Sequence, residues 1–169
     1  MLESFLTLLF QGGWVLYVIV GTAFLIFSLA LERIFYYVMG HGKITKSLKS
    51  EWDARSDRES WNAHAIRDEM VSRVKASTHT NVEFIKVLVA IAPLLGLLGT
   101  VWGMINVFDD LALSAGATSA RSMSGGIFKA IIPTMAGLLV SLLGLLLSNF
   151  IERKGRRETA HFAEKLAYE

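Results

Sequence analysis

Residues 87–108 read VLVAIAPLLGLLGTVWGMINVF, a run without a single charged side chain. A helix rises about 1.5 Å per residue, so roughly 20 apolar residues cross a hydrocarbon core of about 30 Å. Two other uncharged runs, at residues 4–31 and 130–151, are also long enough to cross it. The 169-residue chain is 53% hydrophobic with a mean hydropathy of +0.45, more apolar content than a small soluble core buries. We therefore predict an all-α membrane protein with three transmembrane helices (TM1 to TM3).

The first uncharged run is too long for one span, and Gly12 and Gly13 divide it. We predict an amphipathic helix at 1–12 in the membrane interface, followed by TM1 at 13–32. A cleavable signal peptide is the competing interpretation, but no Lys or Arg precedes the run and no small-x-small cleavage site follows it. The remaining predicted segments are a cytoplasmic helical segment at 33–86, TM2 at 87–108, a short periplasmic loop at 109–126, TM3 at 127–151 and a cytoplasmic C-terminal helix at 152–169.

The middle segment has helical spacing from residue 57 onward. Trp61, Ile66, Met70 and Val74 fall on one side of a helix, with charged residues largely elsewhere. This pattern predicts a cytoplasmic helical extension that continues into TM2.

Basic residues determine the predicted orientation. Residues 32–86 carry ten Lys and Arg and the tail from residue 152 carries five, whereas the region between TM2 and TM3 has only Arg121 and Lys129. Cytoplasmic loops are the ones enriched in Lys and Arg. The middle segment and the C-terminus are therefore predicted to be cytoplasmic, and the N-terminus periplasmic.

Composition excludes several kinds of site. With no cysteine, the chain has no disulfide, thiolate metal site or cysteine nucleophile. All four histidines lie outside the spans, which leaves a haem or metal site in the membrane without ligands. Motifs for P-loops, zinc proteases and serine hydrolases are missing, and a net charge of +2 without a single-sign block does not fit nucleic-acid binding. We expect no enzyme activity, cofactor, metal or nucleic-acid partner.

Small residues recur on one face of TM3 and of TM2. Such residues let helix backbones approach closely in lipid, where packing and interhelical hydrogen bonds drive association. We predict these positions to be pore-lining or helix-packing, and for the glycines we favour packing. The TM3 stripe is Ala130, Thr134, Gly137, Ser141, Gly144 and Ser148, and the TM2 stripe is Ala92, Gly96, Gly99, Gly103 and Asn106.

Polar and helix-breaking residues interrupt the two spans. Thr100 and Thr134 either bond a preceding carbonyl of their own helix or offer a hydroxyl to a pathway. Pro93 and Pro133 each remove a backbone donor, which leaves a kink or a polar notch. No Asp, Glu or His lies in any span, so in a proton-driven machine a partner must supply the titrating carboxylate. Lys129 lies near the outer end of TM3, where its ammonium could reach the headgroups.

The sequences of TM2 and TM3 resemble those of a known family. APLLGLLGTVWGMIN at 92–106 is similar to the second-span signature of the ExbB/TolQ/MotA proton-channel family, and GIFKAIIPTMAGL at 126–138 to its third-span signature. Leu31-Glu32-Arg33 at the end of TM1 also matches, so the resemblance covers all three spans in order. It is closest to the compact ExbB-type proteins of TonB systems.

The resemblance implies a multi-pass protein of the bacterial cytoplasmic (inner) membrane, a homopentamer around a central pore that holds a dimer of an ExbD-type single-span partner. Such complexes use the protonmotive force, through a TonB-type protein, to energise outer-membrane uptake of iron-siderophore complexes and cobalamin. The partner carries one Asp in its helix, and Thr100 and Thr134 occupy the positions of the two pore threonines that face it. Many members have Glu at the position of Lys129, and a cation there cannot serve as the same proton relay.

Alternatives exist within and outside this family. A TolQ-like subunit of the Tol-Pal system, or a motor stator of the MotA kind, would share the architecture. The phenotype of a strain without the protein separates the three: iron starvation for an ExbB-type subunit, detergent sensitivity for a TolQ-like subunit and immotility for a motor stator. A non-conducting membrane scaffold is the interpretation from a different class. It predicts that Thr100 and Thr134 both tolerate valine.

Overall fold

The computed structural model describes residues 12–37, 41–55, 60–113 and 120–166. Within these ranges the chain is helical and contains no β-strand. The helices are α1 (Gly13–Phe35), α2 (His41–Asp53), α3 (Trp61–His79), α4 (Val82–Leu113) and α5 (Ala120–Lys165). Three stretches are long and apolar enough to cross a membrane: Gly13–Phe35, a part of Trp61–Ala112 and a part of Met123–Lys165. The predicted all-helical fold with three long apolar helices is confirmed. The amphipathic helix predicted at 1–12 lies, except for Gly12, outside the described residues.

Both α4 and α5 run further than the predicted spans. α4 continues through 109–113 and α5 begins at Ala120, so both helices enter the region predicted as a loop at 109–126. No Gly or Pro occurs in 109–113 to end α4, and continuing the helix keeps its backbone groups hydrogen-bonded. α5 covers TM3 and most of the predicted C-terminal helix in one element of 46 residues.

The helix predicted to run into TM2 is interrupted just before it. α3 ends at His79, α4 begins at Val82, and Asn81 between them has a φ of +63°. Asn adopts this left-handed conformation more readily than most residues. Its side chain donates a hydrogen bond to Glu32 Oε2 at 3.3 Å, and Thr80 bonds the Ala76 carbonyl through both its backbone N–H and its hydroxyl.

The chain folds as two compact units. The first comprises the described residues of Met1–Phe27 and Lys86–Leu145, and the second those of Ser28–Ile85 and Leu146–Glu169. In the first unit many large apolar side chains face outward, among them Phe24 at 73% and Met135 at 66% exposure. A surface of this kind is suited to lipid or to other chains, not to water.

Small residues bring α4 and α5 into backbone contact within the first unit. A β-carbon on Gly137 would lie 2.5 Å from the Ala92 carbonyl oxygen, and one on Gly96 would lie 2.9 Å from Thr134 Cα. Both distances are closer than van der Waals contact allows. Only glycine therefore fits at these two points of the helix crossing.

The second unit has an apolar core of its own. It consists of Leu48, Trp52, Ala63, Met70, Val74, Phe162 and Leu166. Arg67 of α3 caps the C-terminal end of α5. Its Nε donates to Leu166 O at 3.1 Å and its Nη2 to Ala163 O at 3.0 Å. The guanidinium thus satisfies carbonyls that a helix C-terminus leaves without an intrahelical donor.

Arg33 is a buried charge in the second unit, only 5% exposed. Its Nη1 donates to Ser77 O at 3.0 Å, and its guanidinium lies 5.3 Å from the centroid of the Tyr36 ring. Burying a charge is costly, and a charge-assisted hydrogen bond together with a cation–π contact offsets part of that cost. Arg33 thereby connects the end of α1 to the end of α3.

Tyr37, Thr78, Gly155 and Thr159 form a second connection, which we call the polar joint. The Tyr37 hydroxyl donates to Thr78 O at 2.9 Å, and the hydroxyls of Thr78 and Thr159 lie 3.3 Å apart. A β-carbon on Gly155 would lie 2.7 Å from the Tyr37 hydroxyl, so the glycine lets Tyr37 lie directly against α5. Burial raises the pKa of the Tyr37 phenol above its ordinary value of 10.0, and the charge of Arg33 opposes this rise in part.

Gly137→Ala is expected to destabilise the protein, because its new β-carbon meets a backbone carbonyl that cannot move independently of α4. Overpacking of this kind costs about 1–3 kcal/mol. Gly21→Ala is the matched control, since a β-carbon at Gly21 meets nothing within 4 Å. Thermal unfolding of both variants in detergent measures the difference. Equal midpoints would show that the crossing of α4 and α5 is not closely packed.

Tyr37→Phe is expected to lower the free energy of unfolding by about 1 kcal/mol through loss of the bond to Thr78. Because the folded pKa is raised, the stabilising effect is complete below the unfolded value of about 10 and is lost as pH rises through the folded value. Unfolding midpoints of wild type and variant should therefore converge above about pH 10. A constant difference up to the highest pH at which wild type stays folded would contradict the raised pKa.

Candidate functional site

The small residues predicted on TM2 and TM3 face each other within one chain. A β-carbon at the glycines of the two stripes would contact a residue of the opposing helix, so at these positions the stripes pack α4 against α5. On the same stripe Ser148 is 2% exposed and Ser141 is half-buried. In addition to Gly137 with Ala92 and Gly96 with Thr134, the contacts between the two helices are Gly99 with Pro133, Gly103 with Ala130 and Gly144 with Val89.

The two prolines lie inside the helices of this contact. Pro93 is in α4 and Pro133 in α5, where the Pro133 side chain is fully buried. Each proline lacks an N–H, so the carbonyl four residues earlier loses its helical donor. The Pro133 ring lies against Gly99, where a side chain would leave no room for it.

The Thr134 hydroxyl bridges the two helices. It donates to the Gly96 carbonyl oxygen at 2.9 Å, across the glycine contact described above. A hydroxyl has one proton to donate and two lone pairs that accept. With its proton directed to Gly96, the half-buried Thr134 oxygen can bind a further group only as an acceptor.

The Thr100 hydroxyl bonds within its own helix. It donates to the Leu97 carbonyl oxygen at 2.7 Å, one turn earlier in α4. A bond to a preceding carbonyl of the same helix was one of the two options predicted for each threonine, and Thr100 makes it. Thr134 bonds to the other helix instead. The Thr100 oxygen is therefore also an acceptor for any further group.

A cavity of about 560 Å³ lies in the first unit beside Lys129. Its polar lining residues are Trp102, Asn106 and Asp110 of α4 and Lys129 of α5, and glycines make up much of the rest. The Trp102 ring meets the Trp14 ring edge-on, with centroids 5.9 Å apart. The structure thus places Lys129 in an open polar space that a carboxylate, an amide and an indole share.

The described residues offer no binding site for a metal ion. No group of three or more His, Asp or Glu side chains in that part of the chain is arranged to hold one.

Sequence reasoning missed the buried Arg33 and the polar joint. Both had weak signals in the sequence. Arg33 stands two residues before the aromatic run Phe35-Tyr36-Tyr37, and Gly155 interrupts the charged run ERKGRR at 152–157. A glycine among long charged residues indicates a close approach, but the approaching residue, Tyr37, is distant in sequence.

The model of the MotA/TolQ/ExbB proton channel family matches residues 33–164. This match includes TM2, TM3 and the residues of the polar joint.

Individual relatives match over shorter segments. An ExbB-like biopolymer transport protein of Synechocystis is 36% identical over 83 residues, which cover 48% of this chain and 33% of that protein. The biopolymer transport protein ExbB of Neisseria gonorrhoeae is 39% identical over 64 residues, 38% of this chain and 29% of that protein. The Tol-Pal system protein TolQ of Pseudomonas aeruginosa is 33% identical over 79 residues, 47% and 34% of the two chains. The matched segments span about a third of these relatives' own length.

Proposed function

The chain belongs to the MotA/TolQ/ExbB proton channel family, and we propose that it is the ExbB-type subunit of a motor in the bacterial inner membrane. In this proposal five copies surround a dimer of an ExbD-type single-span partner. The complex converts protonmotive force into motion, which a TonB-type protein delivers to outer-membrane uptake of iron-siderophore complexes and cobalamin. Similarity to proteins named ExbB, at 36–39% identity over the matched segments, supports this choice.

Family membership and three long apolar helices point to the inner membrane of a bacterium. For the orientation we propose a periplasmic N-terminus and a cytoplasmic C-terminus. The support is the distribution of Lys and Arg, which are concentrated at residues 32–86 and after residue 152.

The observation that carries the proposal is the state of the two threonine hydroxyls. Thr134 donates to Gly96 O and Thr100 to Leu97 O, so both hydroxyl oxygens remain as acceptors within the spans. A protonated carboxyl group or a water molecule is the donor that fits such an oxygen. We propose that the partner's carboxyl group supplies it, since the three uncharged runs of this chain contain no Asp, Glu or His.

The available energy suffices for such a mechanism. A charge that moves down a membrane potential releases about 2.3 kcal/mol per 100 mV. This is enough to shift a partner between discrete packed positions that differ by a few kcal/mol. The chain's part is to hold the acceptor oxygens in place, for which the backbone contact of α4 and α5 is suited.

Lys129 has a separate role in this proposal. As a cation it repels an entering proton, so it does not relay protons. It lines the cavity with Asp110 and Asn106, where it is placed to pair with a carboxylate of the partner near the outer face.

A TolQ-like subunit of the Tol-Pal system is the second candidate, favoured by the similarity to TolQ of Pseudomonas aeruginosa at 33% identity. Deletion of the gene distinguishes the two candidates. Loss of growth on iron-siderophore complexes supports the ExbB-type role, whereas detergent sensitivity with normal iron uptake supports the TolQ-like role. A non-conducting scaffold would be insensitive to an uncoupler.

A native mass spectrum of the tagged protein, extracted from its own membrane in mild detergent, tests the assembly. The expected species contains five copies of this chain and two of a small single-span protein. A monomer or dimer without such a companion would contradict the motor and favour the scaffold.

Thr134→Val is expected to abolish energised uptake of iron-siderophore complexes while the complex still assembles. Valine has nearly the shape of threonine but no oxygen to accept a hydrogen bond. Uptake of a radiolabelled siderophore measures activity, and the native mass spectrum measures assembly.

Thr134→Ser is the matched control, because it keeps the hydroxyl and removes only a methyl group. We expect it to retain uptake. Normal uptake by Thr134→Val would remove the hydroxyl from the mechanism, and normal uptake by Thr100→Val as well would favour the scaffold.

Lys129→Ala is expected to reduce uptake only modestly, because the proposed pathway contains no proton transfer at this ammonium. The same uptake assay measures the effect. A complete loss of uptake with intact assembly would show that Lys129 is essential for conduction or for holding the partner.

A further inference from the structure

A shallow groove of about 270 Å³ runs between α3 and α5 in the second unit. We call it the cationic groove. Its lining residues are Val71, Lys75 and His79 of α3 and Arg156, Thr159, Ala160 and Ala163 of α5. No described lining residue is a carboxylate.

The register of the two helices orders these residues along the groove. Thr78 meets Thr159 at 3.3 Å, whereas Arg67, eleven residues earlier, reaches Ala163 O at 3.0 Å, so α3 and α5 run antiparallel. His79 and Arg156 therefore lie at one end, Lys75 lies near the middle, and Val71 and Ala163 lie at the other end.

The positive charge of the groove is only partly compensated. Arg156 pairs with Glu152 of the preceding turn at 2.6 Å. The side chains of Lys75 and His79 form no ion pair or hydrogen bond with any residue in the described part of the chain. An anion in the groove would thus meet one free ammonium, one imidazole and a guanidinium that has N–H groups beyond those facing Glu152.

The charged end of the groove is close in sequence to the ends of two uncharged runs. Arg156 follows Ile151, the last residue of the third uncharged run, by five residues of the same helix, which is about 7.5 Å along its axis. His79 precedes Val87, the first residue of the second uncharged run, by eight residues. Basic residues this close to the end of an apolar span lie at the level of the bilayer headgroups.

From these positions we infer that the cationic groove binds the phosphate of an anionic phospholipid headgroup. Lys75, His79 and Arg156 supply the charge-assisted donors. The methyl groups of Ala160 and Ala163 give the groove an apolar floor that suits an amphiphile better than a fully hydrated small anion. The inference requires no proton conduction, so its failure would leave the proposed function unaffected.

The absence of cysteine from the chain permits a direct binding assay. Ala160→Cys, at an exposed position of the groove, takes one environment-sensitive fluorophore, and the full-length protein in detergent is titrated with dioctanoyl phosphatidylglycerol. We expect a saturable emission shift. Dioctanoyl phosphatidylcholine, which has no net charge, should produce none at the same concentrations.

Lys75→Gln combined with Arg156→Gln should weaken phosphatidylglycerol binding about 30-fold, since each basic residue near an anionic lipid contributes substantially to binding. Arg73→Gln combined with Arg153→Gln is the matched control; it removes the same charge from the same helices at exposed positions outside the groove. Lys75→Arg keeps the charge and should retain binding.

Three results would overturn the inference. A saturable shift with inorganic phosphate at the same concentrations would indicate a site for a soluble anion. An equal loss of binding in the control pair would indicate general attraction to charge, without a defined groove. A shift of equal size with phosphatidylcholine, or none with phosphatidylglycerol, would show that no anionic headgroup is recognised.

Discussion

The contact between the backbones of α4 and α5 is the constraint on which the first unit depends. Helices in lipid gain no hydrophobic energy from meeting each other, so they rely on close packing and hydrogen bonds. Gly96 and Gly137 permit an approach that any side chain would prevent. Only at that separation can the Thr134 hydroxyl reach the Gly96 carbonyl, and only a glycine at 99 leaves room for the Pro133 ring.

The second unit is stabilised by different physics. It has an apolar core of the kind found in soluble proteins, built around Trp52 and Met70, and two of its arginines are hydrogen-bonded to backbone carbonyls. Arg67 ends α5, and Arg33 joins α1 to α3. The Ser77 carbonyl and the Tyr36 ring offset part of the cost of burying the Arg33 guanidinium.

Hydropathy was sufficient to predict the three apolar helices, because a charged residue inside a span costs several kcal/mol and the sequence therefore avoids it. The spacing of small residues likewise indicated a close helix contact, but it did not indicate which helix would lie opposite. The interruption before TM2 escaped prediction, since it depends on the conformation of a single residue, Asn81. The polar joint escaped it as well, because Tyr37 and Gly155 are far apart in sequence. The roles of Thr100, Thr134 and Lys129 in conduction remain predictions.

The direction of two hydrogen bonds has a consequence for the order of events at the site. Since the protons of Thr100 and Thr134 are already given to carbonyls, their oxygens present only negative partial charge. A carboxylate is repelled by such an oxygen, whereas the neutral acid brings its own proton and is held. As long as the two hydroxyls keep their bonds to the carbonyls, a carboxyl group would dock on them only in its neutral form. Two hydroxyls that do not titrate themselves would in this way set the order in which a carboxyl group is protonated, docks, ionises and leaves.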